Sequence, residues 1–137
     1  MTRTVLALAA VLALSPGCAV INVEAPAAAV AGSSYVRDEL YFGLNQRDGG
    51  TVSEAEWQAF VDGEITPRFP DGLTVLDAYG QFRADGVIIR ERSKVLVLLH
   101  RGTAAETRGI QEIIDRYKER FDQSSVLRVT SRARARF

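Results

Sequence analysis

Five consecutive apolar residues, from Val95 to Leu99, constrain the fold of this 137-residue chain more than any other feature. Successive side chains of a β-strand point to opposite faces of a sheet, so this segment is apolar on both faces. A strand of this kind needs cover on both sides, which predicts a central position in a sheet. Val95, Val97 and Leu99 form one set and Leu96 and Leu98 the other. One set is expected to pack under helices, and the pattern leaves open which.

Two capping boxes mark the starts of helices. Ser53 precedes Glu56 by three residues, and Thr103 precedes Glu106 by the same spacing. Each pair is followed by apolar residues at the spacing of a half-buried helix. These stripes are Trp57, Phe60, Val61 and Ile65 in the first helix, and Ile110, Ile113, Ile114, Tyr117 and Phe121 in the second.

The remaining apolar runs predict strands, and Asp85-Gly86 predicts a hairpin turn between two of them. The predicted strands are 39–44, 73–82, 87–90, 94–100 after a break at 91–93, and a last one from Ser125. The order β-α-β-β-α-β predicts an α+β, ferredoxin-like split β-α-β fold, with both helices on one face of a four-stranded antiparallel sheet. Because the other face is then left apolar, we expect a homodimer formed through this open sheet face.

The first 17 residues predict a signal peptide. Arg3 precedes ten apolar residues, 5–14, which are too few to span a bilayer but typical of a secretory segment. Cys18 follows and resembles the lipobox of bacterial lipoproteins, although Leu14 and Pro16 depart from the usual positions. We therefore expect export to the periplasm, with a lipid anchor on Cys18 at the outer membrane.

The alternative is ordinary cleavage near Ala29-Val30-Ala31, which leaves a free periplasmic or secreted protein. Residues 18–37 are rich in alanine and lack periodicity, so they predict a tether. The folded domain is expected to span residues 38–137.

Composition excludes several classes of function. The chain has 17 basic and 17 acidic residues, and this neutrality argues against nucleic-acid binding. Cys18 is the only cysteine and His100 the only histidine, so neither a disulfide framework nor a metal site is expected. No glycine-rich phosphate loop or dinucleotide motif is present, so no cofactor is predicted.

The motifs resemble a known family, the domain of unknown function 3574 of small exported bacterial proteins. The resemblance covers residues 39–137, with Phe82 and Ser124 as visible departures from the family pattern. It implies the fold and the export and assigns no activity. The residues that carry it are 39–44, Val52, Ser53, Trp57, Phe60, 66–75, Gly80, Gln81, Arg90, Glu91, Ser93, Tyr117, Lys118, Arg120, Phe121, Gln123 and 125–127.

Three residues are candidates for acid–base chemistry. Histidine is the side chain most suited to acid–base chemistry near neutral pH, which makes His100 a candidate, although a polar strand end is its commoner role. Glu91 stands between Arg90 and Arg92, which favours a structural ion pair over a poised carboxylate. Tyr41 is more often a strand-packing residue.

Six basic residues are candidates for binding an anion or another ligand. Arg68 lies in a loop stiffened by prolines, and Lys118 and Arg120 end the second helix. The other three, Arg132, Arg134 and Arg136, lie on one face of the last strand with no acidic residue after Asp122. Attraction of this stripe to an anionic membrane surface and protection of a sheet edge are both open.

Three classes of function remain. The favoured one is a non-catalytic module that binds an unknown small ligand or assembles with a partner. The second is a small-molecule enzyme of the dimeric ferredoxin-like barrel type, with a cleft between sheet and helices. The third is a structural role at the membrane surface.

Overall fold

The structure is a computed structural model and describes residues 32–137. The predicted signal peptide, Cys18, the alternative cleavage site and the tether up to residue 31 lie outside the described residues. Among residues 32–137, no helix is long and apolar enough to cross a membrane.

The described chain folds into four strands and two α-helices, the first helix continuing as a π-helical segment. The elements are β1 Ser33–Gly43, α1 Glu54–Phe60, the π-helical segment Val61–Ile65, β2 Thr74–Ala84, β3 Val87–His100, α2 Ala104–Arg120 and β4 Leu127–Ala135. The strands form one antiparallel sheet in the order β2-β3-β1-β4. The predicted α+β class and the central position of β3 are therefore confirmed, and β1 is the other central strand.

The register decides which side chains of β3 face the helices. Leu96 pairs with Leu40 and Leu98 with Asp38, and all four are fully buried on the face that carries α1 and α2. Both predicted helical stripes join them in one core. The opposite face, termed the open face, therefore carries Val95, Val97 and Leu99, together with the side chains aligned with them on the other strands.

Both predicted capping boxes form. The Ser53 N–H donates to the Glu56 carboxylate at 2.9 Å, and the Thr103 N–H donates to Glu106 at 2.7 Å. Burial alone would raise the pKa of Glu106, but the hydrogen bonds from Thr103 lower it to about 2. The helix starts are thus set by local chemistry, as the sequence predicts.

The predicted boundaries of all four strands were wrong in part; β2, for example, is Thr74–Ala84 and not 73–82. β1 begins at Ser33, inside the predicted tether, because Ser33 pairs with Ala135 at the far end of β4. β4 begins at Leu127, and β3 runs without a break through residues 91–93, which pair with β2. Strand pairing uses backbone groups, so polar side chains at 33–37 and 91–93 do not prevent it.

The hairpin of β2 and β3 extends beyond the rest of the sheet. β1 pairs with β3 only from Ser93 to His100, whereas β2 pairs with β3 as far as Val87. Residues 80–91, termed the arm, therefore form a two-stranded ribbon beyond the end of β1. Its turn is Asp85-Gly86, where both residues have positive φ, as the predicted hairpin requires.

Candidate functional site

A pocket of about 700 Å³ lies where the arm leaves the sheet. Its lining comes from the arm, the end of β1 with the turn that follows, and the loop between α2 and β4. The lining residues are Tyr41, Gly43, Asn45, Gln46, Arg47, Gly80, Gln81, Phe82, Ile89, Glu91, Ser93, Asp122, Gln123, Ser124, Ser125 and Leu127. Many of these carry the family resemblance, and this pocket, termed the arm pocket, is the principal candidate site.

Glu91 lies over two glycines in this pocket. A Cβ added to Gly43 would stand 2.8 Å from Glu91 Oε2, and one added to Gly80 would stand 3.7 Å from Glu91 Cγ. The carboxylate therefore occupies space that a side chain at position 43 would fill. Within residues 32–137, no hydrogen bond or ion pair engages this carboxylate.

The ion pair that the sequence favoured for Glu91 is therefore absent from the described residues. Alternation along β3 places Arg90 and Arg92 on the opposite side of the arm from Glu91. Arg90 instead donates to the Gln81 side chain at 2.9 Å. The sequence argument failed because it counted neighbours along the chain rather than neighbours on one face.

Tyr41 lines the same pocket from β1. Its hydroxyl donates to Glu39 Oε2 at 2.6 Å, and this hydrogen bond raises the pKa of Tyr41 above its usual value. The phenol is consequently held as a hydrogen-bonded neutral group. Of the three acid–base candidates, Tyr41 and Glu91 share the arm pocket.

The third candidate, His100, is on the opposite face of the sheet. It is 4% exposed, and its Nε2 lies 2.7 Å from Asp38 Oδ2. The Gly102 N–H donates to Nδ1 at 3.1 Å, so the neutral ring carries its proton on Nε2 and donates it to Asp38. Both ring nitrogens are engaged, and the three acid–base candidates do not form one site.

Asp38 is the centre of a buried polar cluster that sequence reasoning missed. Arg128 donates to its two carboxylate oxygens at 2.8 Å each, and Thr130 and His100 also donate to it. Burial alone would raise the pKa of Asp38, but these hydrogen bonds lower it to about 2. Asp38 is fully buried and fully paired, as a structural ion pair requires.

A second cleft of about 330 Å³ lies beside His100, with Arg68, Arg101, Glu106 and Phe137 in its lining. Arg68 donates to Glu64 at 3.0 Å and to Glu112 at 3.1 Å. Its guanidinium is thus occupied by carboxylates of this chain. The predicted anion-binding role of Arg68 has no support in this geometry.

The other basic candidates lie far apart in the fold. Arg120 stacks over the ring of Phe121 at the end of α2, and Lys118 precedes it on the same helix. Arg132 and Arg134 follow Arg128 on one face of β4, and Arg134 donates to the Gly32 carbonyl at 2.9 Å. Arg128, on the same face of β4, is held by Asp38 and is not open to ligands from solvent.

Within residues 32–137, no group of three or more His, Cys, Asp or Glu side chains has the arrangement of a metal site.

A lysine is also buried beside the helix face. Lys94 donates to Asp77 at 2.6 Å and to Glu54 at 2.7 Å; burial lowers its pKa, but these bonds raise it above the usual value overall. Lys94 thereby ties the start of α1 to β2.

Solved structures place this domain in a class of small α+β folds. A phage SAM lyase in complex with S-methyl-5'-thioadenosine is similar, with a TM-score of 0.56, 15% identity, and coverage of 77% of this chain and 92% of that chain. CutA from Synechococcus elongatus PCC7942 has a TM-score of 0.52, 12% identity, and coverage of 76% and 81%. At such identities the likeness shows the fold alone.

The chain belongs to the family described as protein of unknown function (DUF3574), which matches residues 37–137. The resemblance drawn from the sequence motifs is thereby confirmed. No curated protein sequence matches the chain. The family description names no activity, so function has to be argued from the faces and pockets of this domain.

Proposed function

We propose that this domain is an exported assembly module whose open face is covered by a second copy of the chain. One observation carries the proposal: the open face exposes large apolar side chains on β2, β3 and β4. These are Leu76, Phe82, Val87, Leu99, Leu127 and Val129, each between 40% and 63% exposed. Exposed apolar surface of this kind marks interaction sites in soluble domains.

Charge favours a second copy as the occupant. On β1 the open face carries Arg37 and Glu39, which pair with each other at 2.8 Å. Two such faces can meet without bringing unpaired like charges together at their centres. The arm adds a second reason, because its β3 strand has no neighbour on the side where β1 has ended.

Light scattering during gel filtration tests the proposal, with the chain from residue 19 onward at tens of micromolar. All described strands and helices lie in this fragment. We expect a dimer for the unmodified sequence and a monomer for Leu99→Lys. Ile88→Lys is the matched control, since Ile88 is similarly exposed but lies on the opposite side of the arm. A wild-type monomer would overturn the proposal.

The proposed location is the periplasm, with a lipid anchor on Cys18 at the outer membrane. The support is the apolar run at 5–14 followed by Cys18. A palmitate analogue should label the full-length protein in bacteria, and Cys18→Ala should remove the label. Unlabelled, uncleaved protein in the cytoplasm would contradict export in either form.

The arginine stripe is proposed to contact anionic lipid headgroups. The side chains of Arg132 and Arg136 have no hydrogen-bond or ion-pair partner within residues 32–137, and Arg132 and Arg134 lie on an edge strand. Cosedimentation with anionic vesicles should exceed that with neutral vesicles and should fall as salt rises. Replacement of Arg132, Arg134 and Arg136 by Gln should abolish the difference between the two kinds of vesicle. If this variant binds anionic vesicles as well as the wild type does, only the role in edge protection is left.

The alternative function is a small-molecule enzyme, and the arm pocket is the observation that favours it. The phage protein of similar fold is a SAM lyase, so this architecture is compatible with catalysis. The ferredoxin-like assignment is supported by the strand order β2-β3-β1-β4, with the π-helical segment as an addition to the plain arrangement. Electron density retained in crystals grown from bacterial extract would distinguish a bound substrate from an empty assembly surface.

A further inference from the structure

The arm pocket has one charge that nothing in the described chain neutralises. Its charged lining residues are Arg47, Glu91 and Asp122. Arg47 and Asp122 approach each other to 3.9 Å, and Arg47 also donates to Ser124 at 3.1 Å. Glu91 is left as the unpaired charge, so the pocket carries a net negative charge.

The position of Glu91 is built into the backbone around it. Gly43 and Gly80 flank the carboxylate, and a methyl group at Gly43 would lie within 3.0 Å of three of its atoms. The negative charge of Glu91 also acts on Tyr117 across the strand. Burial raises the pKa of Tyr117, and the charge of Glu91 raises it further. The Tyr117 hydroxyl donates to the Gly43 carbonyl at 2.8 Å. The carboxylate thus lies close to the β1 backbone at Gly43.

Apolar groups surround this charge. Phe82 and Ile89 come from the arm and Leu127 from the start of β4, while Tyr41 contributes its ring from β1. Aromatic faces attract cations, and a carboxylate accepts hydrogen bonds from ammonium or amidinium groups. A ligand that matches both features has a positively charged nitrogen group on a small apolar body.

We propose that the arm pocket binds small organic cations, with Glu91 as the residue that recognises the charge. Binding of this kind goes beyond assembly through the open face; because Phe82 and Leu127 belong to both surfaces, binding and assembly are measured separately. The cationic group hydrogen-bonds to the Glu91 carboxylate, and the apolar body packs against Phe82, Ile89 and Leu127. Gly43 acts as a positioning residue, because it leaves room for the carboxylate beside the strand.

The test is titration of the chain from residue 19 with benzylammonium, phenethylammonium and benzamidinium, followed by calorimetry and by NMR shifts. Benzyl alcohol and benzoate are the neutral and anionic controls. We expect saturable binding of at least one cation and no saturable binding of either control. The loss of one charged hydrogen bond in Glu91→Gln should weaken binding at least about tenfold.

Glu119→Gln is the matched control, since it makes the same change of charge on an exposed residue of α2. It should bind as the wild type does. Gly43→Ala should weaken binding by displacing the carboxylate, which supplies a second test if Glu91→Gln folds poorly by thermal unfolding. The proposal is overturned if no cation binds more tightly than benzyl alcohol, or if both Glu variants lose affinity equally. Gel filtration of the same samples reports assembly separately.

Discussion

The two faces of this sheet treat charge and apolar surface in opposite ways. On the helix side, Asp38 is completely buried and receives hydrogen bonds from Arg128, Thr130 and His100. On the open side, Glu91 has no partner within residues 32–137, and Leu99 remains 40% exposed. The Asp38 cluster of the helix face is fully paired within one chain, whereas the open face leaves a carboxylate unpaired among the described residues and several large apolar side chains exposed. Stability should therefore reside in the first face and binding in the second.

Adjacent leucines give the largest expected contrast between the faces. Leu98 is fully buried in the core, so Leu98→Ala should lower the free energy of unfolding by about 4 kcal/mol through lost contacts and a cavity. Leu99→Ala should cost less than about 1 kcal/mol in the monomer. Urea unfolding followed by fluorescence of Trp57, which is buried, measures both. Equal losses would erase the distinction between the faces.

The buried ion pair of Asp38 with Arg128 gives the second largest expected loss of stability. Asp38→Asn leaves the Arg128 guanidinium without its counter-charge, and we expect a loss of about 3 kcal/mol in the free energy of unfolding. Asp71→Asn, on an exposed turn residue, is the control and should change stability by less than about 0.5 kcal/mol. A variant at position 38 as stable as this control would show that the cluster contributes nothing to folding.

Low pH should reduce the free energy of unfolding through the Asp38 carboxylate. The pKa of Asp38 is about 2 in the folded chain against an ordinary value of 3.8, so the unfolded state takes up protons first as the pH falls. The stability contributed by this group is present above about pH 4 and is lost towards pH 2, to the extent of about 2 kcal/mol. Glu106, with its lowered pKa, adds to this loss.

Urea unfolding at a series of pH values measures this loss. Asp38→Asn should show a shallower decline below pH 4 than the wild type, while the part due to Glu106 persists. An identical acid profile for the two proteins would contradict the assignment to Asp38.

A small effect on stability is expected on the open face at Gly43. The Cβ of Gly43→Ala meets only the far end of the Glu91 side chain, which is able to move. We expect a change below about 1 kcal/mol in the free energy of unfolding. A loss as large as that of Asp38→Asn would mean that the carboxylate is fixed in place by the fold and not free to respond to a ligand.

Local features of this fold were predictable from the sequence. The two capping boxes, the Asp85-Gly86 turn and the helical stripes depend on residues at most a few positions apart, and all formed as predicted. The family membership also followed from motifs along the chain.

The sites were less predictable, because they depend on strand register. Asp38 and Arg128 are 90 residues apart, and only the pairing of β1 with β4 brings them together. Glu91 was misread for a related reason: the supposed break at 91–93 hid the alternation that separates it from Arg90 and Arg92. A continuous strand from 87 to 100 would have indicated this separation, because alternate side chains of a strand point to opposite faces.

Because the first and last strands pair, the connectivity of this chain can be changed by circular permutation. Ser33 and Ala135 are register partners, and a side chain on Gly32 would strike the Ala135 carbonyl at 2.7 Å. Since paired strands lie about 5 Å apart, a short linker suffices to join these two ends. Opening the chain at Asp85-Gly86 instead would give a circular permutant with the same sheet, and its new termini would lie at the tip of the arm. Any fused reporter would then leave the domain at the tip of the arm rather than beside Ser33 and Ala135.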